Sequence, residues 1–298
     1  MCHSGRAFPV LSDMDVTLYS DADVFLRDAA DYLVADPFSA NVIAVKAGRT
    51  SRGEPRGVDD FWATVSVCDR VIGLAMHTPP HHLVVARMPD AAAAALADAL
   101  AERRRPISGV NGEVAAATSF AAAWQERTGE AAVVDVRLRM YRLKDLKPPG
   151  SVRGECRRAS VGDTGVVAEW GAAFHQEAMP HAPSEDWLAW AARRIHSDEI
   201  YLWTDDIAPV AMAAYSAPAA GVARVGPVYT PPPMRRHGFG SAVTAATTEA
   251  AIRASAVHVV LYTDLSNPTS NGIYQAIGYR PDHDAEERAF STGLTEPH

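Results

Sequence analysis

The chain has 298 residues, 48% hydrophobic and 21% charged, a length that suits two domains and a composition that suits packed cores. Its formal net charge of −8 excludes a broad nucleic-acid footprint, and its longest Ala/Leu-rich run, 91–100, is too short to cross a bilayer. Cys2, Cys68 and Cys156 lie far apart with no C-x-x-C spacing, and residues 1–13 lack the apolar core of a signal peptide, so the expectation is a cytoplasmic protein with no metal, no membrane partner and no disulfide framework.

In chain order, 16–19 reads as a short strand, and Ser20 then caps a helix carrying Phe25, Leu26, Ala29 and Leu33. A short helix follows over 40–45. Residues 61–67 and 71–76 form a hairpin, 83–86 a strand, and 90–104 a helix. The stretch 109–112 reads as a loop. Residues 115–127 form a helix with Phe120 and Trp124 facing inward, and 133–143 alternates as a strand. Two prolines and a glycine within 144–150 mark a linker.

Beyond it, 155–158 is a strand and 162–178 a helix with Val166, Val167, Trp170 and Phe174 on one face. Ser184 caps a helix whose stripe is Trp187, Leu188, Ala191 and Ile195. Strands follow at 200–203, 210–215 and 222–229, then an Ala-rich helix at 238–254. The apolar run 257–263 suits a strand covered on both faces. A short helix at 269–277 and a strand pair near Tyr279 and 288–291 complete the chain. Trp62, Trp124, Trp170 and Trp187 read as core. Both halves list the same order of elements, an architectural duplication without residue repetition.

The sharpest local signal is Arg235-Arg236-His237-Gly238-Phe239-Gly240-Ser241, placed after a strand and opening a helix. Glycines let a backbone approach a ligand closely, and a helix start presents free N–H groups and a partial positive charge, so this heptad suits an anion. No G-K-[ST] follows, which excludes a nucleotide P-loop. A glycine-punctuated turn beside two solvated arginines is the competing reading. Downstream, Tyr262 to Tyr279 contains Asn267, Asn271, Tyr274 and the pair Gly278-Tyr279. Asn267, ahead of Pro268, also reads as a helix cap. Proline in Val225-Gly226-Pro227-Val228 cannot donate to a ladder, so the strand must be irregular there.

The form R-x-x-G-x-G between strand and helix, with the downstream Asn, Tyr and Gly-Tyr, resembles the GNAT superfamily of N-acetyltransferases. The resemblance covers about 155–292 by element order and is specific over about 222–280. It implies an α/β fold of the α+β type: two tandem domains, each a mixed, mostly antiparallel sheet flanked by helices. Residues 151–298 are then the catalytic domain, and 1–145 a degenerate GNAT-like domain without cofactor, because Pro89-Asp90 stands where the cradle belongs and Asp90 would cap the helix and repel phosphate.

The resemblance further implies acetyl-CoA as co-substrate. Arg235, Arg236, His237, Gly238, Phe239, Gly240 and Ser241 would hold its diphosphate, and Asn267, Asn271 and Tyr274 would meet the pantetheine arm. The amides of Val228 or Tyr229 would face the thioester oxygen. Tyr274 would protonate the departing thiolate, since a tyrosine of pKa about 10 can serve a thiol of about 8.5. Asp264, Glu177 and His175 are the candidate bases, and a core role for Tyr274, a strand-end cap for Asp264 and a solvated helix end for Glu177 are the alternatives. The acceptor is a small amine or a peptide, and the chain a monomer or homodimer. Two further readings stay open: a non-catalytic acyl-CoA-binding module, and a transferase using another acyl donor.

Overall fold

The computed structural model describes residues 14–206 and 208–292. Its elements are β1 (Met14–Tyr19), α1 (Ala22–Asp28), α2 (Ala30–Ala35), α3 (Asn41–Ser51), β2 (Phe61–Val67), β3 (Arg70–His77), β4 (Leu83–Val85), α4 (Asp90–Glu102), β5 (Gly109–Glu113), α5 (Val114–Thr128) and β6 (Glu130–Leu143). The second half adds β7 (Glu155–Arg158), α6 (Thr164–Ala178), α7 (Trp187–His196), β8 (Ile200–Asp205), β9 (Ala208–Tyr215), β10 (Val222–Tyr229), α8 (Phe239–Arg253), β11 (His258–Asp264), α9 (Pro268–Ala276) and β12 (Tyr279–Thr292). The architecture is mixed α/β, with mixed sheets flanked by helices. No helix among the described residues is long and apolar enough to cross a membrane.

Two compact units form, one from 14–138 with 284–292, the other from 139–283. They do not follow the linear boundary expected at 144–150. The end of β6 belongs to the second unit and the end of β12 to the first, because a strand joins the unit whose sheet and core it satisfies, not the one nearest in sequence. Segment 144–150 is itself fastened: Lys144 N donates to Gly278 O (3.1 Å) and Lys147 N to Ile277 O (3.0 Å).

In the first unit β1, β2, β3 and β4 run antiparallel in sequence, β4 pairs parallel with β5, and β5 pairs antiparallel with β12 from Ala285↔Glu113 to Ala289↔Gly109. Leu83, Leu96, Leu100, Phe120 and Trp124 are buried in its core. Phe290 of β12 stacks on Phe120 (6.4 Å) and Trp124 (5.7 Å), so the far end of the chain completes this core. The loop expected at 109–112 is strand β5. Its glycines serve close strand approach: a Cβ at Gly112 would lie 2.5 Å from the Val85 carbonyl oxygen, and one at Gly109 would strike the Arg288 carbonyl.

In the second unit the strand order is β6-β11-β10-β9-β8-β7. Along β9, Met212 and Ala214 pack with Trp170, Ala191 and Ile195 of α6 and α7, while Ala211 and Ala213 pack with Phe239 and Val243 of α8. That alternation is the period of a strand covered on both faces.

Several local expectations are corrected. Asp21, not Ser20, caps α1, accepting from the amides of Asp23 and Val24, and the first helix breaks at Ala29 into α1 and α2. Asp186, not Ser184, caps α7 through Ala189 N, and Leu188 is 61% exposed. The strand pair expected near the end is the single strand β12. Cys156 is a free cysteine.

Candidate active site

The candidate cofactor-binding and catalytic residues named from the second half all lie in the second unit. After β10, Pro232–Met234 forms a 3-10 turn, Arg236 takes φ +69, Gly238 takes φ +82, and α8 opens at Phe239. No side chain caps α8, and Ala242 N donates to Gly238 O at 3.0 Å. The amides ahead of Ala242 therefore face outward at the positive end of the helix dipole. A Cβ on Gly238 would lie 3.2 Å from Val152 Cγ2, and one on Gly240 3.3 Å from Thr230 Oγ1. Val152 and Thr230, which the sequence did not single out, thus wall the turn; they touch it only in three dimensions. Phe239 is buried and anchors the helix start, with the exposed His237 ring stacked on it at 5.6 Å.

Arg235 ties this turn to the sheet. Its Nε donates to Thr230 O (2.9 Å) and its Nη2 to Glu177 Oε2 (2.6 Å). The Tyr229 hydroxyl donates to Glu177 Oε1 (3.0 Å), and the Arg235 guanidinium lies 5.9 Å over the Tyr229 ring. Glu177 therefore carries a donor on each oxygen. Burial, then the Glu177 contact, raise the Tyr229 pKa. Arg236 and His237 are solvent-exposed beside the helix start.

The irregularity expected at Gly226-Pro227 is present. β10 pairs with β9 as Val225↔Tyr215 and then Val228↔Ala213, a bulge that inserts one residue. Its parallel ladder with β11 covers only Val222–Arg224 against His258–Val260, although β10 continues to Tyr229 and β11 to Asp264. The pairing ends at Arg224, four residues before Val228.

At the end of β11, Asp264 Oδ1 accepts from Ser266 N (2.7 Å), and Asn267 Oδ1 caps α9 through Ser270 N (3.1 Å). Both take their capping alternatives. Asn271 Nδ2 donates to Asp264 O (3.2 Å) and Asn267 O (2.8 Å), while its Oδ1 is buried with no partner among the described residues. Tyr274 is half-buried and meets Tyr279 edge-on at 6.4 Å; the Tyr279 hydroxyl bonds Thr248 Oγ1 of α8 at 2.7 Å. Burial pushes the Tyr274 pKa up to about 12, partly offset by Ser270, and also raises that of Tyr279. His175 Nε2 is 3.1 Å from Pro183 O, with its ring against Trp187 at 5.3 Å.

These tyrosines predict alkaline lability. In the folded chain Tyr274 and Tyr32, both pushed up to about 12, stay neutral where unfolded tyrosine ionises near 10. The unfolded state then binds fewer protons, so stability is whole below pH about 10 and falls from there towards about 12. Urea unfolding at pH 8, 10 and 11 should show a midpoint that drops only above 10; a flat midpoint contradicts the assignment.

Residues 208–289 match the family model for FR47-like proteins. No curated protein matches the chain significantly. Among solved structures, a tandem GNAT protein from the clavulanic acid biosynthesis pathway matches at TM-score 0.59 and 14% identity, covering 95% of this chain and 100% of that one. A GCN5-related N-acetyltransferase from Sphaerobacter thermophilus matches at 0.59 and 18%, over 95% and 96%. A GNAT-family acetyltransferase from Colwellia psychrerythraea matches at 0.57 and 12%, over 93% and 100%.

The chain has the GNAT fold. The heptad, β10, β11 and α9 all belong to the second unit. At the matching place in the first unit, Pro89 precedes α4 and Asp90 opens it; Asp90 accepts from Ser119 Oγ (2.7 Å) and is not the cap expected. Arg87, just before, is held by Glu113 (2.6 Å) and Asp36 (3.1 Å). A cavity of about 230 Å³ in that unit is lined by Tyr19, Asp59, Asp60, Phe61 and Arg105 among others. Among the described residues no group of His, Cys, Asp or Glu is arranged to hold a metal ion.

Proposed function

We propose that the second unit is an acyltransferase that moves an acetyl group from acetyl-CoA to a primary amine. The observation that carries this reading is the uncapped start of α8, set by the positive φ of Gly238 in the turn that follows β10, a strand whose ladder with β11 ends at Arg224. Two features fit the coenzyme. A Cβ at Gly238 or Gly240 would crowd the walls of the cradle, and the buried Asn271 Oδ1 needs a donor of the kind an amide N–H supplies.

When bound, acetyl-CoA supplies an activated thioester. The amides of 237–241 and the charge of Arg236 hold its diphosphate, while Arg235 keeps the turn in shape. Asn271 accepts from the arm in the gap between β10 and β11, with Asn267 fixing the α9 start beside it. An amide of Val228 or Tyr229 faces the carbonyl oxygen as it gains charge. The amine nitrogen bonds to the carbonyl carbon, the C–S bond breaks, and Tyr274 gives its proton to sulfur. Because its pKa is raised, Tyr274 arrives protonated at neutral pH. The amine's surplus proton passes to Glu177 or Asp264, or to solvent. An acceptor that arrives neutral needs neither carboxylate, and positioning supplies much of the rate.

The first unit is assigned no cofactor, as its arginine is already neutralised and its helix opens on proline and aspartate. Calorimetry with acetyl-CoA should therefore give one site per chain, and free thiol should appear when an amine panel is added. Two sites, or none, overturns the reading. Binding without thiol release from any amine favours the non-catalytic module, for which the engagement of Glu177 and Asp264 by other donors speaks. Release from a longer acyl donor alone assigns another acyl group.

A further inference from the structure

We infer that Arg194, held by Glu199, is a positioning residue that sets the bulge at Gly226 and so aims the backbone facing the thioester; this rests on the acyltransferase reading. Neither residue stood out in the sequence. Arg194 lies in the last turn of α7 and Glu199 immediately before β8. Their side chains are 11% and 6% exposed, and Arg194 Nη1 meets Glu199 Oε2 at 2.7 Å. Two charges taken out of water this far persist only when each is satisfied by the other and by further bonds.

Those further bonds lead to β10. Arg194 Nη2 donates to Gly226 O at 3.2 Å, and its guanidinium lies 5.8 Å over the Trp190 ring. Glu199 Oε1 accepts from Ala217 N (3.2 Å), and Glu199 O accepts from Tyr215 N (3.0 Å). One buried ion pair thus joins α7, the end of β9 and the bulge of β10. Gly226 sits at φ +145, a conformation that side-chain-bearing residues rarely adopt, two residues past the last parallel pair with β11 and two before Val228. Pro227 has no N–H for the ladder, so β10 must bulge here. A charged donor on the Gly226 carbonyl fixes how that bulged backbone is turned, and with it the direction of the Val228 and Tyr229 amides.

This role differs from support of the fold in what lysine can rescue. In Arg194→Lys the ammonium still neutralises Glu199 but, as a compact donor, cannot also span to Gly226 O. Arg194→Met removes both contacts, and Glu199→Gln frees Arg194 from its anchor. The expected result for Arg194→Lys is a Tm close to the parent's, an acetyl-CoA Kd within about threefold because the α8 cradle is untouched, and a kcat lower by about 100-fold, the scale of a small misplacement of reacting groups. Arg194→Met should lose as much kcat and also Tm.

A parental kcat in Arg194→Lys overturns the inference, as does a rise in Kd that tracks the loss of Tm through the series. Amide hydrogen exchange at Val228 and Tyr229, measured without ligand, judges the geometry even if the parent proves inactive. Faster exchange there in Arg194→Lys, with the α8 amides unchanged, is the expected result. Unchanged exchange at both amides overturns the inference independently of the acyltransferase reading.

Discussion

Gly238→Asp is expected to abolish measurable acetyl-CoA binding while leaving the chain folded. Gly238 occupies the left-handed region at φ +82, where an L side chain costs roughly 1–2 kcal/mol. The new Cβ would also meet Val152 Cγ2 at 3.2 Å, a contact the flexible wall must yield to. The larger effect is electrostatic. A carboxylate placed about 4 Å from one phosphate charge, near a surface of effective dielectric about 20, repels it by about 4 kcal/mol. That alone is about a thousandfold in Kd. Gly238→Ala separates the terms: it carries the strain and the crowding without the charge, and should weaken binding by about tenfold. Calorimetry on the three proteins makes the comparison, with circular dichroism to verify folding. If Gly238→Asp binds acetyl-CoA within about threefold of the parent, the diphosphate is held elsewhere and the site is misassigned.

Tyr274→Phe should lower kcat by about 10²–10⁴ with acetyl-CoA affinity nearly unchanged. The substitution keeps the ring that meets Tyr279 edge-on and the packing beneath it, and removes only the hydroxyl. A thiolate that leaves unprotonated is the cost, so the deficit should shrink with acyl donors whose thiols are more acidic. With the Tyr274 pKa pushed up to about 12 by burial, its proton stays on throughout the neutral and mildly alkaline range. The parent's kcat should therefore show no alkaline loss below pH about 11 that Tyr274→Phe lacks. An unchanged kcat removes Tyr274 from the mechanism and returns it to the core role that its packing against Tyr279 and Ile277 also allows.

Much of the protein was legible in one dimension because local chemistry fixes it. The order of strands and helices followed from apolar periodicity, and the Gly-Phe-Gly turn after β10 followed from the demand of its backbone for φ above zero at Gly238. The Gly226-Pro227 interruption announced an irregular strand because proline has no N–H to give a ladder. Helix caps were misplaced by one or two residues at Asp21 and Asp186, where several short polar side chains compete and the final turn geometry chooses.

What the sequence by itself determined was most of the elements, through periodicity, and the glycine-punctuated turn that opens α8. Only the tertiary structure decided which strands share a unit, that Gly109 and Gly112 lie in β5 instead of a loop, that Arg235 spends its donors on Glu177 and Thr230, and that Arg194 reaches Gly226. The physical reason is range. Dihedral preference and side-chain periodicity act within a few residues, whereas a guanidinium finds its carbonyl 32 positions away only after the sheet has brought them together.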